Sequence, residues 1–310
     1  MTINDLLLLP DGRLRAGWRL ALFLIVFIGL LFGMSLLFSF TRQAPSVALA
    51  VFVQAAAAGI STWLLLRWME DAPFVSIGLA WQKRAPGELR QGLAVGIALV
   101  GTLTAFEWAT GAIRFESKTG SGPASTLAGV LMLTGLLVVV ATYEEVLFRG
   151  YAFQRLVEGT NGTGAILVSS VVFGGVHMTN PNATQLGTLN TVLAGVLLAV
   201  AYLRTRALWW PIGFHFGWNW TLAVLGHPVS GLEVAQLPWR VVADFEPVWI
   251  HGGSYGPEGG IVATVLLLVG TAGTLRLLRN AEGRPEGLRS SRNGPEASAG
   301  GEQPDSAAKN

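Results

Sequence analysis

Long apolar runs alternate with short charged or turn-rich stretches along most of the chain. A helix needs about 20 apolar residues to cross a bilayer. Eight stretches approach or exceed that length: 17–40, 44–67, 90–112, 125–155, 163–179, 187–204, 207–225 and 259–279. The first contains WRLALFLIVFIGLLFGMSLLFSF, whose one charged residue is Arg19. No small-residue cleavage box of the A-x-A kind closes it, so it reads as a retained spanning helix and not as a cleaved leader. The pattern predicts an all-α fold, a polytopic membrane helical bundle of about eight transmembrane helices.

The stretches between these runs set the expected organisation. Residues 1–16 form a cytoplasmic N-terminal segment and 17–124 hold the N-terminal transmembrane helices. Within that part, 68–89 mixes Trp, Pro and both charge signs, as a headgroup-level linker or short surface helix does. Residues 125–225 form a helical core in which polar residues interrupt the apolar runs. An outer loop follows at 226–258, rich in Pro and Gly, then a last transmembrane helix at 259–279. The tail, 280–310, is Gly, Ser, Pro, Glu and Arg without apolar periodicity, and is expected to be disordered.

Charge gives the direction of threading. With eight spans, 14 Lys and Arg fall on one side, among them Arg13, Arg15, Lys83, Arg84, Arg204, Arg206, Arg279 and Arg284. Four fall on the other: Arg42, Arg114, Lys118 and Arg240. Cations concentrate on the cytoplasmic side, so both termini are expected there, in a multi-pass protein of the cell membrane. An odd number of spans would destroy this asymmetry.

Composition agrees. The chain is 51% hydrophobic and 13% charged, against about 25% charged in soluble domains. The scattered cations make no basic patch, so no nucleic-acid partner is expected. Cysteine is absent, which excludes a thiol nucleophile, thiolate metal ligands and disulfides.

The candidate chemistry sits inside the apolar core. The stretch LLVVVATYEEVLFRG places Glu144 and Glu145 within a spanning segment, where carboxylates are costly and usually face a bundle interior. Adjacent helical residues point about 100° apart, so the two are expected to divide their roles. Arg149 stands four residues after Glu145, the spacing of a helical ion pair. Glu144 is then the reactive carboxylate. In SSVVFGGVH, Phe173 and His177 share a helix face, and Gly174 and Gly175 allow close helix approach. In HFGWN, His215 and Asn219 are also four apart. Each group has a structural alternative: a charge cluster ending a helix, a helix-contact His, and a polar link between helices. Helical rise places Glu144 about 16 Å, His177 about 21 Å and His215 about 14 Å above the inner boundary, a shared depth.

One carboxylate, two imidazoles and an amide suit activation of water and stabilisation of an oxyanion, as in peptide hydrolysis. Glu with two His is also a zinc ligand set. HExxH is absent, so a divalent metal such as zinc is left open. Ser169 and Ser170 lack the surroundings of a nucleophilic serine, and the spans contain no Asp pair.

These residues resemble three motifs of the CPBP family, the intramembrane proteases related to the CAAX prenyl endopeptidase Rce1 and to bacteriocin-processing or Abi proteins. EExxxR reads Glu144-Glu145-x-x-x-Arg149, FxxxH reads Phe173-x-x-x-His177, and HxxxN reads His215-x-x-x-Asn219. The order and spacing match across about 125–225. The resemblance implies an endopeptidase in which Glu144 and His177 activate water and His215 and Asn219 hold the oxyanion. Glu145, Arg149 and Phe173 would support them. It implies a membrane-bound or lipidated peptide as substrate and the bilayer as surroundings. Eukaryotic members remove three residues after a prenylated Cys. Two other readings fit midplane polar residues: a transporter, and a non-catalytic scaffold or immunity protein.

Overall fold

A computed structural model describes residues 6–40, 46–118, 122–234, 237–243 and 247–278. The helices are α1 (Ala16–Ser39), α2 (Val47–Leu65), α3 (Ala85–Ala109), α4 (Pro123–Arg149), α5 (Tyr151–Gly159), α6 (Gly162–His177), α7 (Gln185–Thr205), α8 (Trp209–Leu225) and α9 (Ile261–Leu277). The protein is an all-α membrane helical bundle, and each of the eight apolar stretches contains a helix. Arg42, Arg279, Arg284 and the tail from 280 lie outside the described residues.

Among the described residues, five helical segments are long and apolar enough to cross a membrane: Ala16–Ser39, Val47–Glu70, Ala85–Ala109, Pro123–Gly159 and Gln185–Thr205. The apolar helices α6 and α9 are shorter. Helix α8 is buried along most of its length and forms the axis of the bundle. Its Trp210, Phe214, Trp218 and Leu222 pack with Val100 of α3, Leu133 and Leu137 of α4, Leu197 of α7 and Leu267 of α9.

The α3–α8 contact is made backbone to backbone. A Cβ on Gly92 or Gly96 would come within 2.2 Å of the Trp210 carbonyl oxygen or 2.5 Å of that of Phe214. Reciprocally, a Cβ on Gly213 or Gly217 would meet the Leu89 or Leu93 carbonyl oxygen at 2.2 or 2.6 Å. Both helices thus carry a small-xxx-small stripe, and the two stripes face each other. Between α6 and α7, Gly174 lies against Val192 and Thr188 as expected, whereas Gly175 faces open space.

The 125–155 stretch is not one helix. It breaks at Gly150 (φ −80°, ψ −126°), where a Cβ would lie 2.2 Å from the Val146 carbonyl oxygen. The short α5 follows directly at Tyr151. Glu144 therefore lies about 8 Å from the end of α4. His177 is the last residue of α6. The Ser169 hydroxyl donates to the Phe148 carbonyl and Phe173 lies against Arg149, so α6 meets the end of α4 well along its own length.

The 68–89 linker is built into the fold. A π-helical turn, Leu66–Glu70, extends α2, and a 3-10 turn at Phe74–Ile77 buries Ile77 completely. The Trp81 ring meets Trp209 edge-on at 4.8 Å. Beside it, Glu70 accepts from Arg19 at 2.7 Å, Arg155 at 2.7 Å and the Tyr151 hydroxyl at 3.1 Å. Glu158 also pairs with Arg19 and with Arg155. This network joins α1, α2 and α5. At the other end of the bundle, β1 (Arg114–Ser117) pairs antiparallel with β2 (Trp239–Val242), with Arg114 opposite Val242. The apolar pattern gave no sign of this ribbon.

Candidate active site

Helix α4 delivers Glu144 and Glu145 just before the Gly150 break. Glu145 and Arg149 are both fully buried, with Nη1 of Arg149 donating to Oε1 of Glu145 at 3.2 Å. Nη2 of Arg149 donates to the Gly195 carbonyl at 3.2 Å, and the guanidinium carbon lies 4.4 Å from the Phe173 ring centroid. The i,i+4 spacing therefore forms the expected pair, and that pair also grips α6 and α7.

The division of labour between the carboxylates is less complete than expected, because both reach His215. Its Nδ1 is 2.9 Å from Oε1 of Glu145. A carboxylate accepts, so Nδ1 carries the hydrogen and Nε2 is left for chemistry. Nε2 is 3.7 Å from Oε2 of Glu144. That oxygen is buried and makes no hydrogen bond with the described residues. Oε1 of Glu144 accepts from the Tyr143 hydroxyl at 3.3 Å, and the same hydroxyl reaches Oε1 of Gln54 at 3.1 Å.

His177 is fixed in the same sense. Its Nδ1 is 2.7 Å from the Phe173 carbonyl oxygen, which can only accept, so again Nε2 is free. The Phe173 ring stands 4.7 Å from the His177 ring and 6.2 Å from the His215 ring, between the two imidazoles. Asn219 lies one turn beyond His215 on α8, at 8% exposure.

Glu144, His177, His215 and Asn219 line one cavity of about 920 Å³. Glu145 and Arg149 stand behind its wall. Apolar residues make up most of the rest, including Phe27 and Leu31 of α1, Val140 of α4, and Val172 and Val176 of α6. The latter two are about half exposed on the outer face of α6, so the cavity borders the lipid side of the bundle.

Residues 126–221 match the family described as type II CAAX prenyl endopeptidase Rce1-like. This segment, about a third of the chain, is similar to the Rce1-like family. A Bacillus subtilis protein named "Putative membrane peptidase YdiL" is 33% identical over 101 residues, 31% of this chain and 39% of that protein. The match thus spans well under half of the relative's length. No solved structure matches the chain.

All seven site residues expected from sequence fall inside the Rce1-like segment, but other polar groups of the cavity were missed, Tyr143, Gln54 and Glu258 among them. Tyr143 lies within that segment, while Gln54 on α2 and Glu258 just ahead of α9 lie outside it. Glu258 sits in a Gly-rich loop with no helical periodicity, and its one sequence signal is a lone acid beside an apolar run. Burial pushes its carboxyl above the ordinary range, while the Ser230 backbone N–H, the Trp218 indole N–H and the Ser230 hydroxyl oppose that shift. His177, facing it, acts in the same direction as these donors.

The donor geometry does not fit a zinc tripod. Among the described residues no three His, Asp or Glu side chains converge as ligands. Glu145, the carboxylate nearest His215, is already bound to the Arg149 cation.

Proposed function

We propose that this protein is an intramembrane endopeptidase that hydrolyses a peptide bond of a membrane-embedded or lipidated substrate with water activated by Glu144. The observation that carries this reading is the convergence of Glu144, His177, His215 and Asn219 on one lipid-bordering cavity, with Glu144 Oε2 3.7 Å from His215 Nε2. The similarity of residues 126–221 to the Rce1-like family supports it.

A water hydrogen-bonded to Oε2 of Glu144 and to Nε2 of His177 attacks the scissile carbonyl carbon. Its proton passes to Glu144 as the new C–O bond forms. The carbonyl oxygen takes the negative charge and accepts from the Nε2–H of His215, held as an imidazolium between Glu145 and Glu144, and from the Asn219 amide. The C–N bond then breaks, and Glu144 returns the proton to the leaving amine. Glu145 accepts the Nδ1–H of the His215 imidazolium and so turns its Nε2–H toward the substrate. Arg149 balances the buried charge of Glu145, and Phe173 spaces the two rings. The apolar walls receive the hydrocarbon of the substrate or its anchor. The arginine distribution supports a cell-membrane orientation with both termini cytoplasmic.

The test is cleavage of membrane-anchored peptides, prenylated and unprenylated, by the purified chain in proteoliposomes, with products identified by mass spectrometry. Glu144→Ala and His215→Ala are expected to reduce cleavage by about 10²-fold or more. Cleavage by Glu144→Ala at the wild-type rate would remove the basis for this function.

A further inference from the structure

Glu258 reaches the cavity from a 3-10 turn, Pro257–Gly259, outside the Rce1-like segment. Hydrolysis as described above does not use it. It is half-buried where it borders the cavity. Such a carboxyl is costly unless its oxygens are bonded. Oε1 accepts from the Trp218 indole N–H at 2.9 Å. Oε2 accepts from the Ser230 backbone N–H and from the Ser230 hydroxyl, the latter at 3.1 Å. Its own backbone carbonyl accepts from Nδ2 of Asn190 on α7 at 2.8 Å.

Each partner leads to a helix of the site. Trp218 lies on α8, three residues after His215 and one before Asn219. Ser230 presents its carbonyl to Nδ2 of Asn180 at 3.0 Å, three residues beyond His177. Ser230 also has φ +47°, a left-handed conformation that a non-glycine residue holds only under constraint. Two hydrogen bonds that Ser230 donates to Glu258 supply that constraint. The chain of contacts runs from the end of α6 through Asn180, Ser230 and Glu258 to Trp218 on α8.

We propose that Glu258 is a positioning residue of the cavity, fixing the separation between the His177 end of α6 and the His215–Asn219 face of α8 through Ser230 and Trp218. The inference rests on the reading of those residues as the hydrolytic site. An amide at position 258 retains one acceptor oxygen, so it can serve Trp218 or Ser230 but not both. Glu258→Gln therefore breaks the link with little change in volume.

Two readouts test this in the full-length protein. The chain has no native cysteine, so a single introduced thiol reports alone. Val229, beside Ser230, is 6% exposed, and Val100 in α3 is fully buried. In detergent, maleimide labelling of Val229→Cys is expected to accelerate about tenfold when Glu258→Gln is added, while Val100→Cys stays slow. On whichever peptide the wild type cleaves, Glu258→Gln is expected to lower kcat about tenfold with KM within about twofold. Unchanged labelling at Val229→Cys overturns the proposal. So does faster labelling with unchanged kcat, because the clasp would then not position the site. Acceleration at Val100→Cys as well means general loosening, and also overturns it. If Glu144→Ala cleaves normally, the hydrolytic reading fails, but the labelling result still decides whether Glu258 holds Ser230 in place.

Discussion

At the residue scale, Arg149 shows how a four-residue spacing becomes an organising contact. The ion pair with Glu145 was legible from EExxxR because i and i+4 share a helix face. Its reach to Gly195 and Phe173 was not, because those contacts depend on how α6 and α7 pack against α4. Removing one partner of a buried ion pair leaves the other charge uncompensated, at a cost of about 3–5 kcal/mol. Arg149→Met is expected to lose stability on that scale in detergent denaturation. Arg149→Lys should fall between, since it keeps the charge but loses the planar donor fork. Equal stability of all three forms would show that the buried pair contributes nothing. A second residue predicts a pH dependence. His227 follows α8, with Nε2 3.0 Å from the Thr104 hydroxyl, and burial lowers its pKa from 6.5 to about 4. Between those values only the unfolded chain takes up the proton. Stability is therefore fully present above about pH 6.5 and declines as pH falls toward 4, by up to about 1.4 kcal/mol per pH unit. His227→Gln keeps a partner for Thr104 and is expected to flatten that part of the profile. An identical acid profile in wild type and variant would remove His227 as its source.

At the element scale, apolar runs located the helices well because lipid solvation demands about 20 apolar residues wherever a helix crosses. They located breaks poorly. The sequence VLFRGYAFQRL carries apolar residues on both sides of Gly150, so nothing in hydropathy separates α4 from α5. Strands of four residues, such as β1 and β2, are too short to produce a periodic signal. Nor does hydropathy reveal that Gly92, Gly96, Gly213 and Gly217 face one another, although this contact places the helix that bears His215 and Asn219. The distances make a sharp prediction. A methyl group at Gly213 must displace the Leu89 backbone, and overpacking of this kind costs about 1–3 kcal/mol or more. Gly213→Ala is expected to lower the thermal midpoint and to reduce cleavage, because α8 moves relative to α4. Gly101→Ala on α3, where a Cβ meets nothing within 4 Å, serves as the control. It should be neutral or slightly stabilising, since Ala is the better helix former. Equal tolerance at both positions would mean that α3 and α8 can separate without cost.

At the scale of the whole molecule, two sets of contacts test the threading independently of the positive-inside bias. If α1, α2, α3, α4, α6, α7, α8 and α9 each cross once, with α5 remaining on one side, the start of α1, the end of α2 and α5 must share a side. Arg19, Glu70, Arg155 and Glu158 join those three places in one ionic network. By the same count β1, after the third crossing, and β2, after the seventh, must share the opposite side. They do meet, and Glu116 of β1 binds Arg240 of β2 at 2.9 Å. An odd crossing between the members of either set would part them by about 30 Å of hydrocarbon. The contacts thus support the parity, and the arginines support the direction. The cysteine-free background allows both to be measured with a membrane-impermeant maleimide. Glu116→Cys and Glu233→Cys are expected to label in intact cells, and Asp71→Cys and Lys83→Cys only after permeabilisation. The reverse pattern would keep the parity and invert the orientation, placing the Glu70 network outside. Labelling of Asp71→Cys and Glu116→Cys from the same side would break the parity itself, and with it the placement of α6, α8 and α9 as crossings despite their short length.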